Sequence, residues 1–215
     1  MLIGVKKRFV FVANSKTAST SIEQALGNHA EIMRGGTAQH KHIYMRDALS
    51  EYAFLFNQPG YAPDSFFRFG VMRDPIDWIQ SWYRYRRGNK VANPLPEDLS
   101  FEDFWTRKDW NIQRANGAKH LQRDFFIDTD GKMLVDYIIP YHEIGFHFGA
   151  ICDALGVKRS LPRKNVSKIR RTGTNLPDDL LAEMRTFYAE DYALLEGVAD
   201  LNSTGSRKLD TLSAA

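Results

Sequence analysis

Lys16 stands in a run of small and hydroxyl-bearing residues, Ala13-Asn14-Ser15-Lys16-Thr17-Ala18-Ser19-Thr20-Ser21. The run follows the apolar stretch Phe9 to Val12 and precedes the helical spacing of Ile22, Ala25 and Leu26. A strand, a polar turn carrying one ammonium and a helix N-terminus together suit an anion, because the first helical turn has unbonded N–H groups and the positive end of the helix dipole. The four hydroxyl residues after the lysine, Thr17, Ser19, Thr20 and Ser21, exceed what a single N-cap needs. Simple capping of the helix is the competing reading. A Walker A loop is excluded, since it would require glycines where Val10 and Ser15 stand, and only Lys16-Thr17 fits that pattern.

A second group lies downstream. Phe66 to Met72 reads as a strand that runs into Arg73-Asp74-Pro75, with Pro75 in a first helical turn, Asp74 as its cap, and Ile76, Ile79 and Tyr83 on one helix face. Arg73 then stands at a strand end and Ser81 about two turns into the following helix. In a parallel sheet, ligand groups gather at the carboxyl ends of strands, so the two strand ends are expected to share a crevice. A guanidinium there suits phosphate, which it can hold through two oxygens at once. An ion pair of Arg73 with Asp74 or Asp77 is the plainer alternative.

Together the two segments resemble the sulfotransferases that use 3′-phosphoadenosine 5′-phosphosulfate. Lys16 with Ser19, Thr20 and Ser21 is similar to that family's 5′-phosphosulfate loop, and Arg73 followed eight residues later by Ser81 is similar to its 3′-phosphate site. Leu161 to Ser167 and Phe187 to Tyr192 look like the tail of the carbohydrate-type members, so the likeness covers roughly residues 8 to 196. The chain departs from the pattern at Ser15, where proline or histidine is more usual, and at Ala18, where glycine is common. The resemblance implies a P-loop NTPase-like fold, 3′-phosphoadenosine 5′-phosphosulfate as sulfuryl donor, no metal, and an acceptor hydroxyl on a glycan or glycolipid. It also implies that Lys16 neutralises the leaving oxygen, that Thr17 and Ala18 lie with the loop on the donor, and that Arg163, Lys164 and Ser167 close over the 3′-phosphate.

Sulfuryl transfer also needs a base for the acceptor hydroxyl, and histidine suits that role near neutral pH. Of the six histidines, His42 and then His40 are favoured, because they follow Gly35-Gly36 and precede a helix that begins at Ile43. Some carbohydrate sulfotransferases use a histidine reached after the first helix, which His42 resembles. Glu23 and Glu143 are the carboxylate alternatives. Metal binding by the His40-Lys41-His42 pair is weakly supported, since no nearby cluster completes a ligand set. His142 and His147 have apolar neighbours and read as packing or surface residues.

Positioning these groups calls for an α/β domain with a mainly parallel central sheet flanked by helices. The chain has 215 residues, 43% hydrophobic and 26% charged, enough for one substantial core. The pattern predicts strands at 9–14, 66–72 and 133–139, and helices at about 18–28, 43–56, 75–87, 101–105, 112–122 and 142–155. A last helix is introduced by Leu176-Pro177 and stopped by Gly197. Residues 1–201 are expected to form one domain and 202–215 a mobile tail. A net charge of +3 is too small to imply nucleic acid. Basic residues cluster at Arg84, Arg86, Arg87 and Lys90 and again from Lys158 to Arg171, as solvated faces or as grooves that concentrate anions. No stretch approaches a membrane span, so no integral anchor and a cytoplasmic location are expected. The lone Cys152 sits in an apolar helical pattern and reads as a core thiol. Two rival functions are a nucleotide-dependent kinase, with Asp74 as its one attractive magnesium ligand, and a non-catalytic nucleotide- or glycan-binding module.

Overall fold

The structure, a computed structural model, describes residues 1–88, 91–158, 161 and 176–213. Five strands, β1 (Leu2–Gly4), β2 (Phe9–Val12), β3 (Ile32–Met33), β4 (Phe67–Met72) and β5 (Tyr137–Pro140), form one sheet in the order β3-β1-β2-β4-β5. The helices are α1 (Ser19–Leu26), α2 (Ala38–Lys41), α3 (Met45–Glu51), α4 (Ala53–Phe56), α5 (Pro75–Gly88), α6 (Phe101–Thr106), α7 (Ile144–Ala154), α8 (Asp178–Phe187), α9 (Ala189–Glu196) and α10 (Val198–Ser213).

The sheet is mixed, which corrects the expectation of a mainly parallel one. Strands β2, β4 and β5 run parallel, with Val12 opposite Gly70 and Met72 opposite Pro140, whereas β1 is antiparallel to both β2 and β3. The cause is local. Only Val5 to Arg8 separate β1 from β2, and so short a link makes a hairpin, while a parallel pair needs a long crossover.

Every residue of β2 is buried, as expected of a strand covered on both faces. Phe9 and Phe11 pack with Ile22, Leu26, Phe67, Phe69 and Phe148 on one side. Val10 and Val12 pack with Ile43, Met45, Met72, Phe126 and Ile138 on the other. A third cluster joins Trp78 and Ile79 of α5 to Phe104, Trp105, Met184 and Tyr188. Cys152 is buried in the first of these cores and forms no disulfide among the described residues, in keeping with the sequence reading.

Several boundaries move. Residues 112–122 are not helical: the Asn116-Gly117 turn, with Gly117 at φ +83°, folds the segment back so that Gln113 bridges Lys119. The 43–56 segment breaks at Tyr52 into α3 and α4. The third strand starts at Tyr137, after an isolated bridge between Ile127 and Met133. Most of the expected tail is instead the helix α10, which packs on β5 and buries Leu209; Asn202 there accepts from the Ile138 amide at 2.9 Å and donates to its carbonyl at 2.8 Å. The inward-facing positions Asn202, Gly205 and Leu209, spaced three and four residues apart, were hidden by the polar residues around them.

Gly205 sets how closely α10 approaches the sheet. A methyl group at that position would lie 2.1 Å from the Asp136 carbonyl oxygen, a backbone atom with little room to yield. Gly205→Ala gains roughly 1 kcal/mol of helix propensity but meets an overpacking cost of about 1–3 kcal/mol or more. The expected outcome is a net loss of about 2 kcal/mol, or roughly 4–8 °C in Tm, read by thermal or urea unfolding.

Candidate functional site

The run from Ala13 to Thr17 and Ala18 links the carboxyl end of β2 to α1, and neighbouring side chains fix its path. The Trp78 indole N–H donates to the Ser15 carbonyl at 2.8 Å, and Thr17 Oγ1 donates to the Asn14 carbonyl at 3.0 Å. Lys16 and Ala18 both take φ of +61°. A left-handed backbone costs a residue with a Cβ roughly 1–2 kcal/mol, which gives a physical reason for glycine at the Ala18 position of such loops. The first backbone bonds of α1 run from the Ser21 and Ile22 amides to the Ala18 carbonyl, at 2.9 and 3.2 Å, so Ser19 and Thr20 open the helix.

One buried glutamine ties the two strand ends together. Gln122 Oε1 accepts from the Arg73 amide at 3.1 Å and from Asn14 Nδ2 at 3.2 Å, and its Nε2 donates to the Arg73 carbonyl at 2.8 Å. Asn14 Nδ2 also reaches the Val71 carbonyl at 3.4 Å. The amides of Gln122 and Arg123 donate in turn to the Asp191 carboxylate, at 3.1 and 2.8 Å. Asp191 is wholly buried, and burial pushes its pKa up to about 7. The Phe187 to Tyr192 segment thus acts on the site from behind, by anchoring the residue that clamps both strand ends.

Lys16 is the central group. Its Nζ lies 3.6 Å from the centroid of the Tyr85 ring and 5.8 Å from that of Trp82. Among the described residues it has no carboxylate or hydrogen-bond partner. Burial, with Arg73 and Arg84 nearby, lowers its pKa to about 8. An ammonium kept largely from water and facing two further cations is a place that gains from a bound anion.

The first half of α5 spans the distance between the two motifs. Asp77, Ser81 and Tyr85 recur every four residues and so share a helix face. Asp77 stands 4.0 Å from Arg73 Nη2, too long for a strong pair, while Tyr85 carries Lys16. Half-buried Ser81 therefore lies between the Arg73 end and the Lys16 end of one strip. Arg73 is buried, with its guanidinium 4.6 Å from the Tyr141 ring centroid. The basic cluster divides by role: Arg86 is buried against Asp109 (2.7 Å), Asn111 (3.1 Å) and the Asn93 carbonyl (2.9 Å), and Arg87 bonds Tyr83 and the Glu97 carbonyl. Among the described members of the cluster, Arg84 acts on Lys16. Lys90, Arg163, Lys164 and Ser167 lie outside the described residues.

The two histidines separate. His42 Nδ1 faces the Ala13 carbonyl at 2.6 Å, so that nitrogen carries the proton and Nε2 presents the lone pair. Burial lowers the His42 pKa. His40 is exposed, its Nδ1 on the Gly35 carbonyl at 3.0 Å. Glu23 is engaged by Lys41 at 2.6 Å, and Glu143 is bonded to His147 at 3.0 Å. His147 also meets the Tyr137 hydroxyl at 2.6 Å, which makes it a packing residue between α7 and β5.

Lys41 and Gln122 were missed as site residues, and Arg84 was marked only as part of a basic cluster. Lys41 donates to Thr20 Oγ1 at 3.0 Å, which adds a cation beside the loop; its position between two candidate bases was the one available hint. Gln122 gave no signal, since a lone glutamine carries no spacing rule.

Asp74, the kinase candidate's metal ligand, is already occupied. One oxygen accepts from the Asp77 amide at 2.9 Å as a helix cap and the other from the Tyr192 hydroxyl at 3.2 Å. Among the described residues there is no cluster of three or more His, Cys, Asp or Glu fit for a metal, and no helix long and apolar enough to cross a membrane. No protein-family model, curated protein or solved structure matches the chain.

Proposed function

We propose that this protein is a sulfotransferase with a P-loop-like donor site, moving a sulfuryl group from 3′-phosphoadenosine 5′-phosphosulfate to a carbohydrate hydroxyl. The observation that carries the reading is the Lys16 ammonium at the end of a parallel strand, without a carboxylate or hydrogen-bond partner among the described residues, with Arg73 and Arg84 acting on it from the next strand and helix. Three cations around a helix N-terminus fit a ligand with several negative charges, and the donor supplies them at its 5′-phosphosulfate and 3′-phosphate. Arg73 and Ser81 serve the 3′-phosphate; Lys16 and the amides and hydroxyls of Thr17 to Ser21 serve the phosphosulfate.

In the reaction the acceptor oxygen attacks sulfur while the bond from sulfur to the bridging oxygen breaks, leaving adenosine 3′,5′-bisphosphate and a sulfate ester. Charge grows on the bridging oxygen, where Lys16 offsets it, and the acceptor proton passes to His42 Nε2. The engagement of Asp74 favours this reading over the kinase.

Thermal shift tests it. At one hundred times its dissociation constant, adenosine 3′,5′-bisphosphate is expected to add about 2.7 kcal/mol, which raises Tm by roughly 5–10 °C. Stronger stabilisation by ATP with magnesium would overturn the proposal in favour of the kinase.

A further inference from the structure

The aromatic residues around α5 fall into two sets. Trp78 and Trp105 are fully buried, with their indole N–H groups on the Ser15 carbonyl and on Glu183 at 2.9 Å, and Tyr83 donates to the Leu99 carbonyl at 2.6 Å. Trp110 is different: it is 44% exposed. Its ring packs edge-on against Trp82, centroids 5.2 Å apart at 80°, and Trp82 packs in the same way on Tyr85 at 6.0 Å. A continuous aromatic wall therefore leads from the Lys16 ammonium to solvent. Arg86, held by its own ion pair, lies 5.8 Å from the Trp110 ring and fixes that end of the wall.

The wall also holds an unused donor. The indole N–H of Trp82 is buried and meets no acceptor among the described residues. Such a group costs roughly 1–3 kcal/mol unless something supplies an oxygen. Its indole packs on Trp110 and lies 5.8 Å from the Lys16 ammonium.

We infer that Trp110, backed by Trp82, forms the acceptor subsite, which takes a pyranose ring with its C–H face on the exposed Trp110 indole and its reacting hydroxyl directed along the aromatic wall toward Lys16. This assignment rests on the sulfuryl-transfer reading and extends it to the acceptor. An exposed aromatic face on a wall that ends at an ammonium matches a sugar, which has an apolar face and a polar rim. The order along α5 keeps the two substrates apart. Arg73 precedes the helix, Ser81 is midway, and Trp82, Tyr85 and Arg86 occupy the far half, so Lys16 lies between the nucleotide end and the Trp110 end.

The full chain, saturated with adenosine 3′,5′-bisphosphate, is titrated with cellotetraose and with chitotetraose by calorimetry and indole fluorescence. At least one tetrasaccharide binds the wild type, Trp110→Ala weakens it about tenfold or more, and Trp110→Phe weakens it about threefold or less. The affinity for bisphosphate changes less than about twofold in both variants. The subsite is overturned if neither sugar binds the wild type, or if Trp110→Ala leaves sugar binding intact. A loss of bisphosphate affinity in Trp110→Ala would also overturn it, by giving the ring to the nucleobase. Failure of the wild type to bind bisphosphate would remove the donor site itself, a result distinct from the loss of sugar binding alone.

Discussion

On the proposed reading, Lys16→Ala is expected to lower sulfuryl transfer about a thousandfold, the effect of removing a group worth about 4 kcal/mol at the site of developing charge. The ammonium is placed for this by its position at the end of β2, between Tyr85 and two arginines, and among the described residues it has no competing structural task. Folding should not suffer. The wild-type protein holds a largely buried cation beside Arg73 and Arg84, so the variant is expected to melt at the same temperature or higher. Single-turnover sulfate transfer together with a melting curve checks both statements, and a Lys16→Ala protein with normal turnover would refute the role of Lys16.

The same lysine sets a pH dependence. Its pKa is lowered from 10.5 to about 8, so the free folded protein loses this positive charge as pH rises through about 8. An anion binds the charged form better. Bisphosphate affinity therefore falls above about pH 8, and in Lys16→Ala that step disappears. The stability linkage has the opposite sense: between about pH 8 and 10.5 the unfolded chain holds more protons than the folded one, so this group makes stability rise with pH across that window and adds nothing below it.

The strand ends were legible because their signals are local. Phe9 to Val12 and Phe67 to Met72 are mostly apolar runs closed by polar turns, and Pro75 marks a helix start wherever it falls, so the nearness of the two strand ends followed from parallel pairing. The hairpin partner β1 was not legible. Leu2 to Gly4 is too short for a period, and its pairing is set by the four-residue turn. Helix α10 was misread for a related reason, since one glycine, one asparagine and one leucine make its buried stripe while its composition is that of a tail. Within the site, sequence spacing could mark Lys16, Arg73 and Ser81 but not Gln122, because its value lies in joining chain segments about 50 and 108 residues apart. The histidines were told apart only by geometry. His40 and His42 are two residues apart, yet one bonds an exposed glycine-rich turn and the other Ala13, the first residue of the loop after β2.

That difference makes His42 the residue whose loss is expected to rank second. Removing a general base costs typically 10²–10⁴-fold in rate, so His42→Ala should lose about that much, whereas His40→Ala stays near wild type. Alanine, however, also deletes the bond from Nδ1 to the Ala13 carbonyl, and a displaced loop would lower the rate by itself. His42→Asn separates the two effects. An asparagine amide N–H can replace the Nδ1 donor but offers no basic nitrogen where Nε2 stood. It should keep bisphosphate affinity and melting temperature while losing turnover as fully as alanine. The pH profile supplies an independent reading. Because burial holds the His42 pKa below 6.5, wild-type kcat/KM, which reports the free enzyme, should rise with pH below that value, level off, and fall again as Lys16 loses its proton near 8. In His42→Asn the acid limb vanishes and the alkaline limb persists. A variant that kept both limbs and the wild-type rate would place the base elsewhere.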